Sequence, residues 1–197
     1  MRDGKILYSG RDLRKLIIPL IIEQILAIAV GMADTIMVSA AGEAAVSGVS
    51  LVDTVNILLI NVFSALATGG AVVSGHFLGK KKREDACKSA WQILLFATLL
   101  AFVISVILTA HDPLLRLMFG KIEDDVMKAS KTYLIITTYS FVALAIYNSC
   151  AALFRAMNES KVTMWVSLLM NVINVVGNAI CIYGLHMGVA GVAIPTT

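Results

Sequence analysis

The sequence predicts an all-α fold: a polytopic helical bundle set in a membrane. Three observations point there. Of 197 residues, 58% are hydrophobic and only 15% charged, whereas a soluble domain averages about 45–50% apolar and about 25% charged. The apolar residues gather in blocks that reach the ~20 residues a helix needs to cross a bilayer. The 16 Lys and Arg fall mostly between these blocks and are shared unequally among the connections. Low charge and high apolar content also exclude disorder for most of the chain. A net charge of +3 with no basic stripe argues against a nucleic-acid partner.

Taken in order, residues 1–15 read as a polar, cytoplasmic N-terminal segment, and residues 16–197 as the transmembrane bundle. The expected spans are about 16–40, 46–78, 89–110, 129–154, 162–185 and 187–197. The first carries Glu23 and Asp34. It is too long and too studded with polar residues for a signal-peptide core, so it is expected to be retained. Pro19 is placed in its first turn, where proline is tolerated and where a hinge would sit. The second span is uncharged from Thr54 to Gly75 and ends in a run of small residues. Small residues let helices approach closely, so this run, with Gly75 and Gly79 four apart, reads as packing. Ser89–Ala110, Thr132–Phe154 and Val162–Leu185 carry no charge at all. Between the third and fourth spans, Pro113 and Gly120 punctuate a connection expected to hold a short interfacial helix. The sixth span starts at Met187, and the ten or so residues that remain rise only ~15 Å, half a bilayer. A chain ending there would leave carbonyls unpaired in lipid. The sequence is therefore expected to be a piece of a longer one, cut within its sixth helix.

Orientation follows from the basic residues. Twelve lie in the N-terminal segment, the Lys80–Lys88 connection and around Arg155 and Lys161, and four lie in the connections of the opposite side. Cytoplasmic connections carry the excess of Lys and Arg, so the chain is expected to be a multi-pass protein of the cell membrane with a cytoplasmic N-terminus. Trp91 and Trp165 fall near the cytoplasmic ends, where an aromatic belt would put them. Cys87, Cys150 and Cys181 lack metal-like or CxxC spacing and read as packing residues. There is no HExxH, GxSxG or phosphate-binding loop. The expected class is not an enzyme and needs no cofactor.

The polar residues inside the spans carry the functional signal. Asp34 lies six residues, ~9 Å, below the outer boundary. A carboxylate there is costly unless it meets a cation, a proton or polar partners. Asn171, Asn174 and Asn178 are spaced three and four apart, on one face of the fifth helix. Asn178 lies ~9 Å deep, Asn174 ~15 Å and Thr196, in the sixth span, ~13 Å. Asp53 and Asn56 enter the same layer from the second span, at ~10 and ~15 Å. Carboxylate, amide and hydroxyl oxygens suit a hard monovalent cation or a proton relay. The plainer reading is that Asn and Thr only bond neighbouring helices, for ~1 kcal/mol or less. That reading suits Asn171 best, on the flank of the face. Asp34, Asn174, Asn178 and Thr196 are the candidate coupling site. Glu23, Asp53, Asn56, Asn171 and Tyr139 are candidates for a cavity or an accessory role. Glu23, near the inner boundary, is expected to be hydrogen-bonded to another helix. The one metal candidate is Na⁺ at Asp34. No nucleotide site is found, which leaves an ion gradient as the energy source.

Four segments resemble the multidrug and toxic compound extrusion (MATE) family of secondary antiporters. They are Pro19–Gln24 with Met32–Val38, Ala65–Lys80, Phe154–Lys161 leading into Asn171–Asn174, and Gly188–Thr196. The resemblance implies twelve helices in two six-helix bundles, of which this chain would be the N-terminal one. It implies partners in the C-terminal half of the same full-length chain, in the lipid bilayer and in small organic cations exported in exchange for Na⁺ or H⁺. Asp34 matches the functional acid of helix one, Asn174 a cation-site Asn of helix five, and Thr196 a helix-six hydroxyl. Pro19 matches a proline linked to bending. Asn178 stands where some members carry Asp, which removes one carboxylate. Two alternatives stay open: a flippase for lipid-linked precursors, which would want basic residues in its cavity, and a non-transporting membrane scaffold. No basic residue falls inside an expected span apart from Lys131, at the edge of the fourth, which favours cationic cargo.

Overall fold

The computed structural model describes residues 10–40, 42–109, 111–120 and 122–196. Among them are α1 (Gly10–Ser39), α2 (Glu43–Gly79), α3 (Arg83–Leu108), α4 (His111–Phe119), α5 (Asp124–Ala156), α6 (Ser160–Ala179) and α7 (Val189–Thr196), with a π-helical turn, Ile180–Gly184, closing α6. No strand occurs among the described residues. Five helices are long and apolar enough to cross a membrane. Residues 1–9 of the N-terminal segment, and residues 110 and 197 at the expected span ends, lie outside the described set.

The helices outrun the apolar blocks. The 37 residues of α2 extend ~55 Å and the 33 of α5 ~50 Å, against ~30 Å of hydrocarbon. Each opens on charged residues ahead of its apolar block, Glu43 in α2 and Asp124 and Asp125 in α5, so apolarity alone starts them late, at 46 and 129. Acidic residues open these helices: Glu43 in α2, Glu84 and Asp85 in α3, Asp124 and Asp125 in α5. There they complement the positive end of the helix dipole. The short α4 fills the connection marked by Pro113 and Gly120, with Leu115 buried beneath it.

α1 begins at Gly10, so Pro19 lies inside the helix and not in its first turn. The expectation failed because the polar residues before Leu16 continue the helix beyond the apolar block. An interior proline cannot donate to the carbonyl four residues back, that of Lys15, and this loosens the helix there.

α2 packs mainly on α5, and α3 packs against both. α1 pairs with α6, and α7 fits between α5 and α6. Buried residues recur at three- and four-residue steps along α2, as Val49, Val52, Asn56, Leu59 and Phe63, and along α5, as Leu134, Thr137, Phe141 and Ala145. In lipid there is no hydrophobic drive between helices, so close contact and hydrogen bonds hold them. Gly48 provides a close α2–α5 approach: a methyl there would sit 2.7 Å from Ala129 Cβ and 2.9 Å from the Ser130 nitrogen. The Ser130 hydroxyl donates to the Gly48 carbonyl at 3.2 Å. The Gly75–Gly79 pair makes no comparable contact: a methyl at Gly75 would meet Ala156 at 3.7 Å, and at Gly79 open space.

Short connections make sequential long helices antiparallel. The starts of α1, α3 and α6 therefore share one end of the bundle with the ends of α2 and α5. Lys81 and Asn158, at the turns of that end, adopt left-handed backbone (φ 59° and 65°).

Candidate functional site

Four of the expected polar residues form one hydrogen-bonded chain. Asn178 Nδ2 donates to Asp34 Oδ1 at 2.6 Å and to Asn174 Oδ1 at 3.2 Å. Asn174 Nδ2 donates to Thr196 Oγ1 at 3.1 Å, and the Thr196 hydroxyl donates to the Val192 carbonyl at 2.7 Å. The chain crosses α1, α6 and α7. Asn174 and Asn178 stand one turn apart on α6, so their amides stack along one face. Asn178 is fully buried, and its Oδ1 has no hydrogen-bond partner among the described residues.

Thr196 reaches this chain because α7 lies close along α6. A methyl at Gly177 would sit 2.7 Å from Pro195 Cβ, and one at Gly191 3.1 Å from the Cys181 carbonyl. The π turn redirects the backbone directly after Asn178, with Leu185 N–H bonded to the Ile180 carbonyl at 3.0 Å. Single π turns occur often at functional sites.

Asp53 joins Asp34 from the other side. Both line a cavity of ≈ 100 Å³ between α1, α2, α5 and α7, together with Thr35, Ser50 and Tyr133. Asn56 Nδ2 donates to Asp53 Oδ1 at 3.3 Å, and Asn56 Oδ1 is a second buried amide oxygen without a partner among the described residues. Each carboxylate is thus held by one amide donor. A second cavity, ≈ 320 Å³, opens between Asn56, Thr137, Ser140, Tyr147 and Thr196. Tyr133 escaped the sequence reading because a single tyrosine near a span end carries no spacing signal. Its importance comes only from the packing of α5 on α2.

Three other candidates stand apart from this chain, and Glu23 is hydrogen-bonded to another helix as expected. Asn171 takes no part in the chain: its Nδ2 is buried without a partner among the described residues. It stands ~60° around α6 from Asn174, and two turns, ~10 Å, along the helix from Asn178. Tyr139 is 81% exposed and lines neither of these cavities. Glu23 has a charged partner that sequence depth did not reveal. Arg155 Nη1 lies 3.9 Å from Glu23 Oε1, and the Thr163 hydroxyl donates to Glu23 Oε2 at 3.4 Å. α5 runs on to Ala156 and so carries Arg155 into the bundle, whereas the expected span stopped at 154. Arg155 also lines a ≈ 550 Å³ cavity with Ser64 and Thr68. Glu23 is eleven residues, ~16 Å, from Asp34 along α1, so this cluster is separate from the polar chain.

Comparison with known proteins agrees with this architecture. The MatE family profile matches residues 19–180. An uncharacterized transporter of Bacillus subtilis, YisQ, is 32% identical over 91% of this chain and 40% of its own length. The probable multidrug resistance protein NorM of Thermotoga maritima is 28% identical, over 94% of this chain and 41% of its own. Two solved structures superpose with TM-scores of 0.87 at 25% identity, each covering 94% of this chain and 41% of the other. One is a multidrug resistance MATE family transporter of the MOP superfamily in an outward-facing conformation. The other is a MOP superfamily transporter from Pyrococcus furiosus, for which reversed binding-pocket polarity suggests a different function. The chain spans about two fifths of the length of the relatives it matches. With its membrane-spanning helices and its family match over most of its length, this chain belongs to the MatE family of multi-pass membrane transporters, and corresponds to the N-terminal bundle.

Proposed function

We propose that this bundle is the ion-coupling half of a secondary antiporter that exports small organic cations in exchange for Na⁺ or H⁺. The observation that carries the reading is the chain Asp34–Asn178–Asn174–Thr196, which joins three helices through one carboxylate. A carboxylate in the bilayer, with amide and hydroxyl oxygens around it, suits a monovalent cation or a proton. The Asn178 amide is the switching group in this reading. With the carboxylate bare, its NH₂ faces Asp34. A cation held at Asp34 repels that NH₂ and favours the carbonyl face, whose oxygen is otherwise without a donor. Turning the amide breaks the bond to Asn174 and alters how α6 holds α7. Asp53 supplies a second carboxylate to the same cavity.

An ion shifts a conformational equilibrium only through different affinities for the two states, and exchange requires ion and cargo to favour opposite ones. The polar chain contains no cation, which favours positively charged cargo over a phosphate-bearing lipid precursor. The twelve-to-four distribution of basic residues supports a cytoplasmic N-terminus.

The test uses the full-length transporter in vesicles with an imposed Na⁺ or H⁺ gradient. Asp34→Asn keeps the shape and removes the charge. Gradient-driven efflux of a cationic dye is expected to fall roughly 5- to 150-fold, the range of a lost coupling of about 1–3 kcal/mol. Normal efflux with unchanged ion dependence in Asp34→Asn would place coupling outside this bundle.

A further inference from the structure

Apart from the polar chain, a groove of ≈ 690 Å³ opens between the first turns of α1 and α6. Arg14 and Lys15 reach it from α1, and Lys161 from α6. Trp165, 63% exposed, forms one side, and the exposed Ile18 and Ile22 continue the wall one and two turns further along α1. Among the described residues no Asp or Glu lines it. Lys82, Lys88, Lys128 and Arg155 each lie within 4 Å of a carboxylate, but Arg14, Lys15 and Lys161 join none of these ion pairs. Arg14 Nε donates to the Gly10 carbonyl at 3.3 Å, which leaves its terminal guanidinium nitrogens available. Glu23, further along the same helix, is held by Arg155 and Thr163.

We propose that this groove binds the headgroup phosphate of an anionic phospholipid, with an acyl chain laid along Ile18 and Ile22. Cations at this end of the bundle are expected of any membrane protein with this charge asymmetry. That rule does not require three of them, from two helices, to converge on one concavity with an indole and an apolar wall. The combination matches a lipid. The cations meet the phosphate, the indole sits at headgroup level, and the isoleucines face the hydrocarbon. Basic pockets between helix ends are known lipid-headgroup sites, each Lys or Arg adding about 1 kcal/mol of attraction. The site does not depend on whether Asp34 couples ions.

Trp165 serves as the probe. The full-length transporter is reconstituted in vesicles of phosphatidylcholine containing a fixed fraction of phosphatidylglycerol, with bromine on the acyl chains of one lipid or the other. The signal is the part of the tryptophan emission that disappears in Trp165→Phe. Brominated phosphatidylglycerol is expected to quench it more than its mole fraction predicts. Each neutralised cation should reduce that enrichment roughly fivefold. Lys15→Gln with Lys161→Gln should therefore abolish it, and Lys161→Arg should keep it. Emission from Trp91, on α3, should show no such dependence on these substitutions. Equal quenching by the two lipids would overturn the proposal, as would an enrichment that survives the double substitution. So would loss of the enrichment on adding millimolar inorganic phosphate, which would make the site one for a free anion. Protection of Trp165 from both lipids would also overturn it, by showing that other parts of the full-length protein cover the groove.

Discussion

Replacing Gly177 by Ala tests whether the close approach of α7 to α6 is what places Thr196 in the polar chain. The added methyl would lie 2.7 Å from Pro195 Cβ and 3.0 Å from Pro195 Cγ. Carbon atoms pack at about 3.5–4.0 Å, and a proline ring within a helix cannot swing aside. α7 must therefore retreat by about 1 Å. Thr196 follows Pro195 directly, so the 3.1 Å bond from Asn174 would stretch to about 4 Å, beyond hydrogen-bonding reach. Overpacking costs about 1–3 kcal/mol, and the lost interhelical bond adds about 0.6 kcal/mol. Against these stands a gain of up to about 1 kcal/mol from replacing glycine inside a helix. The net destabilisation is then about 0.5–2.5 kcal/mol, read from thermal unfolding of the full-length transporter in detergent. The Na⁺ concentration or pH giving half-maximal efflux should shift by roughly threefold, the equivalent of the lost bond. Gly69→Ala is the control, because a methyl at Gly69 meets nothing within 4 Å. If Gly177→Ala matches Gly69→Ala in melting temperature and in ion dependence, the α6–α7 contact does not position Thr196.

Two further outcomes are expected. Arg155→Gln leaves Glu23 with the Thr163 hydroxyl as its described partner. With the two side chains 31% and 18% exposed, the loss should be roughly 1–2 kcal/mol, below the value for a fully buried pair. The double variant with Glu23→Gln should recover most of it, and a double variant as unstable as Arg155→Gln would show that the pair is not the cause. For orientation, single cysteines replacing Lys82 and Glu43 in the full-length protein should react differently with an impermeant reagent added outside sealed cells. Glu43→Cys should label and Lys82→Cys should not, and the reverse pattern would invert the topology.

The long helices were legible in the sequence because a bilayer imposes a length on apolar blocks, and Asp34, Asn174, Asn178 and Thr196 because polar residues at such depth are rare. Depth is one coordinate only. It placed Asp34, Asn174, Asn178 and Thr196 in one layer, and three hydrogen bonds join these four residues. It could not tell that Tyr139 is exposed in this bundle while Tyr133, six residues earlier on the same helix, shares the cavity of both carboxylates. That distinction depends on the rotation of α5, which its packing on α2 sets. Arg155 was hidden for another reason. Reading spans by apolarity cut the helix at its last apolar residue, while hydrogen bonding carried the helix on and brought the guanidinium to Glu23. Pro19 was misplaced by a similar cut at the start of α1.

The placement of the glycines links the fold to the candidate site. α7 runs antiparallel to α6, so contacts advance along one helix as they retreat along the other: Gly191 lies against Cys181, Pro195 against Gly177, and Thr196 meets Asn174. Glycine stands at both close contacts below the hydrogen bond. The π turn lies between these two helices and Asn178 just before it. A change in the Asn178 amide is therefore felt at the base of the reversal, and a change at Thr196 at its far end. α1 is tied to the same unit through Asp34 alone among the residues of the chain, and its interior proline has already loosened it fifteen residues earlier, ~22 Å away. Ion occupancy at Asp34 would then act on the link that the polar chain makes between a deformable α1 and a closely packed α6–α7 pair. Such a link can bias two arrangements of α1 while α3 keeps its packing on α2 and α5.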